Sequence, residues 1–454
     1  MSTHAGPDLG AFGYRQELKR SLGLGDLLIY GLIFIGVIAP APVFGIVFAA
    51  SGGMVPLTYA LGLVAMLFTA FSYMSMARVF PVAGSVYAYT SRSIGETAGF
   101  FAGWAILLDY LLLPTLCNVV CAIALHAVLP VVPQWLCVVV LLILTTTVNY
   151  LGIETTARAN ILLLIVQVAI LVCFLGAGAV AAAGGVGGAH LSTLPFYNPA
   201  TFSPALLFGA ASLGVLSFLG FDAISTLAEE AKDGAAGIAR ATIISLVVAG
   251  MIFIAMTWLA SLFLLGRSGF ANADAANAAF YDISGTIGGA WLRFLVTVPG
   301  VIVGATAGAL AAQAATARLI FSMARDGKLP RPLAHVHPTR KVPERAVFLV
   351  AAINLVMSLT LVSSLELLTS MVCFGALLGF VLVNLSVIAH FRRRPERRWL
   401  AHIMSPAIGA LITAAVLWNG DRNAKVAGLA WLAVGGLYFL ALRWLGRSTA
   451  MVEV

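Results

Sequence analysis

The chain has 454 residues, of which 61% are hydrophobic and only 10% charged, against about 45–50% and about 25% in an ordinary soluble domain. So little surface charge excludes a soluble enzyme, a nucleic-acid-binding domain and a disordered scaffold, and it leaves an all-α, polytopic membrane protein. The net charge of +8 is read as topology, because basic residues accumulate in the cytoplasmic loops of such proteins.

Residues 1–23 form a polar N-terminal tail with Arg15, Glu17, Lys19 and Arg20 and no signal-peptide pattern. A membrane-crossing helix needs about 20 apolar residues. Twelve segments qualify, at 24–50, 55–78, 97–128, 132–150, 157–183, 203–231, 239–265, 288–323, 345–363, 366–390, 400–418 and 425–445, followed by a tail at 446–454. An even count puts both termini on one side. With the N-terminus in the cytoplasm, the outer loops hold only Arg267, Arg293, Arg422 and Lys425 of the 26 Lys and Arg, which is a strong positive-inside bias. The expectation is a plasma-membrane protein, of the inner membrane in a bacterium, with both termini cytoplasmic. The stretches 325–345 and 392–398 carry most of that bias. Topology alone accounts for them; a polyanion or anionic-lipid site is the other reading.

Two segments cannot be continuous helices. The first contains Ala39-Pro40-Ala41-Pro42 in mid-span, and two prolines spaced by one residue remove two N–H donors and clash with the preceding turn. The sixth contains Leu219-Gly220-Phe221-Asp222 at a similar depth. Gly220 permits unwinding, and Asp222 places a carboxylate inside the membrane, where an ionisable group is costly and usually functional. Capping of the second half-helix is the structural alternative. Interrupted helices at corresponding positions of two halves point to the binding site of a secondary transporter. The breaks lie five spans apart, and an odd number inverts the second half. The expected architecture is therefore a 5+5 inverted repeat, over 24–183 and 203–390, with two extra helices at 400–445. Repeated pore loops or rings of charge would have suggested a channel, and neither is seen.

Few acids lie in the spans. Asp109 sits in the middle of the third, next to Tyr110, and Asp222 in the sixth; Glu229 and Glu230 follow about two turns later. Asp109 and Asp222 have no evident cationic partner, so each is protonated or available to a cation. That points to a cationic substrate, a coupling proton, or both, with Glu229, Glu230 and Asp109 as candidates for the proton. The five cysteines lie in apolar segments without metal-ligand spacing. No Gly-x-Ser-x-Gly, phosphate-binding loop or HExxH is present. No metal, cofactor or enzymatic activity is expected.

Several stretches resemble the amino acid–polyamine–organocation superfamily across nearly the whole chain. They are Phe80-Pro81-Val82-Ala83-Gly84-Ser85-Val86-Tyr87, Gly220-Phe221-Asp222-Ala223 with Glu229-Glu230, and Arg325-Asp326-Gly327-Lys328-Leu329-Pro330. Within it the chain looks most like the bacterial putrescine importers. Gly103-Trp104, Leu107-Leu108-Asp109-Tyr110-Leu111, Phe374-Gly375-Ala376-Leu377 and Val383-Asn384-Leu385-Ser386-Val387 carry that likeness. The resemblance implies a leucine-transporter-type fold, a central site between helices 1, 3, 6, 8 and 10, alternating access and proton-driven uptake. Amino acid importers of the superfamily usually have a glycine-rich break in helix one, whose N–H groups hold the substrate carboxylate. Pro40 and Pro42 deplete that cradle here, which favours a polyamine. Similar putrescine importers can carry an acid in this break, and this chain has none. Where some members have a lysine in helix five, the similar stretch here has Gln167. The function expected is proton-coupled import of a small cationic solute, putrescine first and a cationic or small neutral amino acid second. The expected substrate-binding residues are Ala39, Pro40, Ala41, Pro42, Asp109, Tyr110, Leu219, Gly220, Phe221 and Asp222. Membrane lipid is the expected surroundings, and no nucleic-acid partner is expected.

Overall fold

The computed structural model describes residues 9–267, 269–361, 365–420 and 422–444. Fourteen α-helices follow one another among them: α1 Leu24–Ile35, α2 Phe44–Ala50, α3 Val55–Val79, α4 Ser85–Ser93, α5 Glu96–Val128, α6 Gln134–Leu151 and α7 Ile153–Ala183, then α8 Pro204–Leu216, α9 Gly234–Ser261, α10 Ala273–Arg325, α11 Glu344–Thr360, α12 Leu365–Phe391, α13 Ser405–Asn419 and α14 Arg422–Trp444. Among the described residues, ten helices are long and apolar enough to cross a membrane. The chain is a multi-pass membrane protein whose buried surfaces are largely aliphatic and aromatic.

Three of the twelve expected segments differ in extent or continuity from one full span, the first of them as its prolines imply. The first expected span is two short helices, α1 and α2. The chain leaves α1 at Gly36, with φ of 83°, a conformation that glycine adopts without steric cost. The prolines come after this stop, Pro40 just before and Pro42 within a short 3-10 turn Ala41–Val43 that leads into α2. The ninth span, expected at 345–363, is a 17-residue helix ending at Thr360, and 362–364 lie outside the described residues. The eighth, expected from 288, begins fifteen residues earlier as the 53-residue α10, which contains a non-helical joint at Gly289. The amphipathic helix α4 lies where the sequence offers no apolar run.

The sixth segment breaks as expected. α8 ends at Leu216, Gly220 takes a φ of 109°, and a 3-10 segment Phe221–Leu227 follows. The two breaks pack on each other. A Cβ at Gly220 would lie 2.3 Å from the Phe34 ring, and one at Gly31 would lie 2.5 Å from the Ile224 side chain. Glycine at both positions lets the end of α1 and the unwound segment approach to backbone contact.

Chain ends are tied to this core. The segment before α1 runs as a strap along the residues after the 3-10 segment. Leu22 bridges to Ala231, the Leu22 N–H donates to the Glu230 carbonyl at 3.1 Å, and the Lys232 N–H donates to the Leu22 carbonyl at 2.8 Å. At the other end, α14 is locked to α5. Trp104 and Trp431 stack with centroids 4.8 Å apart, and each indole N–H donates to the other residue's carbonyl, at 2.9 and 2.7 Å. Buried tryptophan usually finds such a partner for its N–H. Gly435, against the Trp104 ring, makes room for the stack.

Candidate functional site

Asp222 is the second residue of the 3-10 segment and is fully buried. Its carboxylate Oδ2 accepts a hydrogen bond from the Tyr110 hydroxyl at 2.6 Å, a short distance typical of a charged acceptor. Its Oδ1 has no hydrogen-bond partner. Neither Asp222 nor Asp109 has an ion-pair partner among the described residues. Asp109, one residue before Tyr110 on α5, is 1% exposed, and its Oδ1 is also unpartnered.

Four helices, α1, α3, α10 and α12, surround these groups. Phe34, in the last turn of α1, lies 5.9 Å from the Tyr110 ring. Thr316 of α10 donates to the Tyr110 carbonyl. Tyr30 of α1 donates to Ala311 of α10 at 2.7 Å. On α12, Gly375 lets that helix approach the backbone of Asp109, since a Cβ there would lie 2.8 Å from the Asp109 nitrogen. Phe380, also on α12, lies 5.2 Å from the Phe221 ring, and Tyr73 of α3 lies 5.8 Å from it on edge. Phe221 and Gly220 are buried and Leu219 is half-buried at the break. Tyr30, Phe34, Tyr73 and Thr316 have no distinguishing spacing in the sequence; only the fold brings them here.

The residues 39–42 sit differently. They form a turn between α1 and α2, with Pro40 and Ala41 buried and Pro42 exposed, and the neighbouring Ile38 lies against Gly300 of α10. No hydrogen bond joins them to Asp109 or Asp222 among those the structure gives. The N–H groups of Ala39, Ala41 and Val43 donate to the carbonyls of Gly36, Ile38 and Pro40, at 3.0, 3.0 and 3.3 Å. Proline has no N–H. From 39 to 43, therefore, every backbone donor is missing or engaged.

Glu229 and Glu230 are separated from Asp222 by more than distance along the chain. Both are fully buried and both are paired. Arg318 of α10 grips Glu230 with two hydrogen bonds, one of 2.9 Å, and also donates to the Ala314 carbonyl at 2.8 Å. Arg325 binds both oxygens of Glu229, at 2.8 and 3.1 Å, and the Ala83 N–H donates to the same carboxylate at 3.0 Å. These arginines lie 88 and 96 residues away in sequence, so no local spacing announces either pair.

Around Arg325 the strap is pinned. Tyr14 and Tyr87 each donate to one oxygen of Asp326, both at 2.8 Å, and the Arg325 guanidinium lies 3.8 Å from the centre of the Tyr14 ring, within cation–π range. Burial first, and then the Asp326 charge, push the Tyr14 phenol up to about 12, so it keeps its proton and remains a donor. Lys328 is fully buried, 3.5 Å from Glu96; burial pulls its ammonium down, and Glu96 opposes that. Among the described residues no group of His, Cys, Asp and Glu is arranged to hold a metal.

The comparisons agree with this architecture. The family model described as "Amino acid permease" matches residues 27–441. The "Low-affinity putrescine importer PlaP" of Escherichia coli (strain K12) is 35% identical over 431 residues, covering 93% of this chain and 94% of that protein. The "Branched-chain amino acid permease BcaP" of Bacillus subtilis is 26% identical over 475 residues, 96% of each chain. The "Methylthioribose transporter" of the same species is 26% identical over 468 residues, again 96% of each. These are transporters of different solutes, each matching this chain over nearly its whole length. The chain belongs to the amino acid permease family, within the amino acid–polyamine–organocation superfamily.

Proposed function

We propose that the chain imports a small cationic organic solute, a diamine of the putrescine class, by proton-coupled alternating access through a bacterial inner membrane, with both termini in the cytoplasm. The observation that carries this reading is the Asp222 carboxylate. It is buried where the two helix breaks pack together, oriented by Tyr110, and left with one oxygen unpartnered and no ion-pair partner among the described residues. A carboxylate desolvated in this way attracts a cation strongly. An α-carboxylate would meet the opposite situation: the turn at 39–43 has no free N–H to receive it, and a buried anion without donors is costly. Similarity to the putrescine importer points the same way.

Asp109 takes the second amine or the coupling proton; it is the other buried carboxylate without an ion pair. Glu229 and Glu230 are the weaker candidates for the proton, because each is already held by an arginine. The 5+5 inverted repeat with two additional helices is the architecture in which the two breaks become symmetric halves of one site.

An amino acid permease is the second reading, favoured by the likeness to the branched-chain permease. Competition in proteoliposomes separates the two, with labelled putrescine against putrescine, cadaverine, agmatine, ornithine and alanine. Ornithine is putrescine plus a carboxylate, and putrescine should outcompete it by more than about tenfold, the equivalent of about 1.4 kcal/mol. Equal competition by ornithine or alanine transfers the site to amino acids. Uptake should rise with an inward proton gradient and be indifferent to sodium. A sodium requirement without pH dependence would overturn the coupling.

A further inference from the structure

The basic residues of this chain are used in two ways. In the stretch 325–345, Arg325 is paired with Glu229 and Lys328 with Glu96, and Arg340 stacks 4.0 Å from the Tyr150 ring. The protein itself uses these three cations, while Arg331, Lys341 and Arg345 of the same stretch are exposed and spread over fifteen residues. In the loop after α12 the pattern is reversed. Arg392, Arg393, Arg394, Arg397 and Arg398 are all exposed, and none is in an ion pair among the described residues. Glu396 is the single acid among them. Positive-inside topology explains why arginines are here. It does not explain five in seven residues held on an ordered turn.

The turn is ordered by its own bonds. The Arg392, Arg394 and Arg397 N–H groups donate to the carbonyls of Ile388, Phe391 and Arg394, at 2.9, 3.2 and 3.2 Å, and the His402 N–H donates to that of Arg398 at 2.8 Å. The His402 ring stacks on Phe391 at 3.8 Å. Trp399 and Leu400 follow, 59% and 70% exposed. α12 has 27 residues, about 40 Å at the usual rise, against a hydrocarbon core of about 30 Å. Its end therefore lies at headgroup depth, the level that tryptophan favours.

We propose that residues 392–400 form a binding site for an anionic phospholipid, with the arginines on the phosphates and Trp399 and Leu400 against the upper acyl chain. Guanidinium forks match phosphate oxygens, and five of them without acidic partners suit a lipid with two phosphates, of the cardiolipin type, over one with a single phosphate. The site would fix the end of α12, the helix whose Phe380 packs on Phe221 beside Asp222. The assignment does not depend on which solute is carried.

The test uses the full-length transporter purified in neutral detergent. Thermal shift on titration would be compared for cardiolipin, phosphatidylglycerol, phosphatidylcholine and inorganic diphosphate. Cardiolipin should stabilise most, phosphatidylglycerol less, and phosphatidylcholine and diphosphate not at all. Arg392→Gln, Arg393→Gln and Arg394→Gln combined should weaken cardiolipin roughly a hundredfold, at about 1 kcal/mol for each arginine. An equal loss of charge at the exposed Arg240, Arg331 and Arg345, each to Gln, should change it by less than about threefold. If the triple variant does not fold, Arg393→Gln and Arg397→Gln singly should each weaken it about fivefold. Unchanged cardiolipin binding in these variants, an equal loss in the control, or equal protection by diphosphate or phosphatidylcholine would each overturn the proposal.

Discussion

Four acidic side chains are buried among the described residues, and they divide into two pairs. Glu229 and Glu230 face arginines on α10 and spend their lone pairs on them. Asp109 and Asp222 face none, and each keeps an oxygen without a partner. The two pairs lie on or beside the same interrupted segment and its neighbours, so depth in the protein does not separate them. The difference is the state of charge that the protein completes. One pair is finished by the fold and closes the strap side of the bundle. The other is unfinished: no cation faces it among the described residues, and under the proposed function the solute or a proton completes it. A buried carboxylate is thus a poor signal of function until its partner has been looked for.

The comparison is broken most severely at Glu230. Glu230→Gln leaves the Arg318 charge buried and unpaired, and should cost about 3–5 kcal/mol of stability, read as a large fall in melting temperature in detergent. Changing Arg318 to Met in the same chain should recover much of that loss. Asp222→Asn should do the opposite. Stability should stay within about 1 kcal/mol, because no fixed counter-charge is orphaned, while affinity for the cationic solute falls at least about tenfold. Normal binding by the Asp222→Asn variant would make Asp222 structural, and the division between the pairs would disappear. Tyr110→Phe sharpens the contrast at smaller scale. It removes one hydrogen bond to a charged group, worth about 1.5–3 kcal/mol, and should appear in binding, with Tyr110→Ala weakening the solute further by losing the ring. Least of all, Tyr14→Phe keeps the ring over Arg325 and loses only the bond to Asp326. On a half-buried strap that should cost about 0.5–1.5 kcal/mol, visible as faster proteolysis of the N-terminal segment.

Both breaks were legible in the sequence, because mid-span prolines and a Gly-Phe-Asp turn are incompatible with a continuous helix. Where α1 stops was not, since Gly36 ends it and nothing in a lone glycine announces a positive φ. The Asp109–Tyr110 and Asp222 stretches were also legible, and the structure joins them through the 2.6 Å bond. What stayed hidden was pairing across many helices, above all Arg318 with Glu230. The stretches most diagnostic of the superfamily prove to be one contact region. Ala83 donates to Glu229, Glu229 pairs with Arg325, and Tyr87 donates to Asp326. Those marks, separated by more than two hundred residues, describe how the strap side is closed, whereas the candidate solute site carries fewer of them.

Gly220 has a consequence for the order in which this protein can change. Its φ of 109° disfavours any side chain, and the space a methyl group would need is already filled by Phe34. A substitution at 220 is therefore penalised twice, once by its own backbone and once by a residue in the other break. Shrinking Phe34 first relieves only the ring contact, because its carbonyl carbon and oxygen would still lie 3.0 Å from such a Cβ. Position 220 is closed to single-step variation, while position 34 can vary only towards shapes that still leave the glycine covered. Side-chain variation beside the crossing of the two breaks therefore has room at neighbours such as the half-buried Leu219, and none at Gly220 itself.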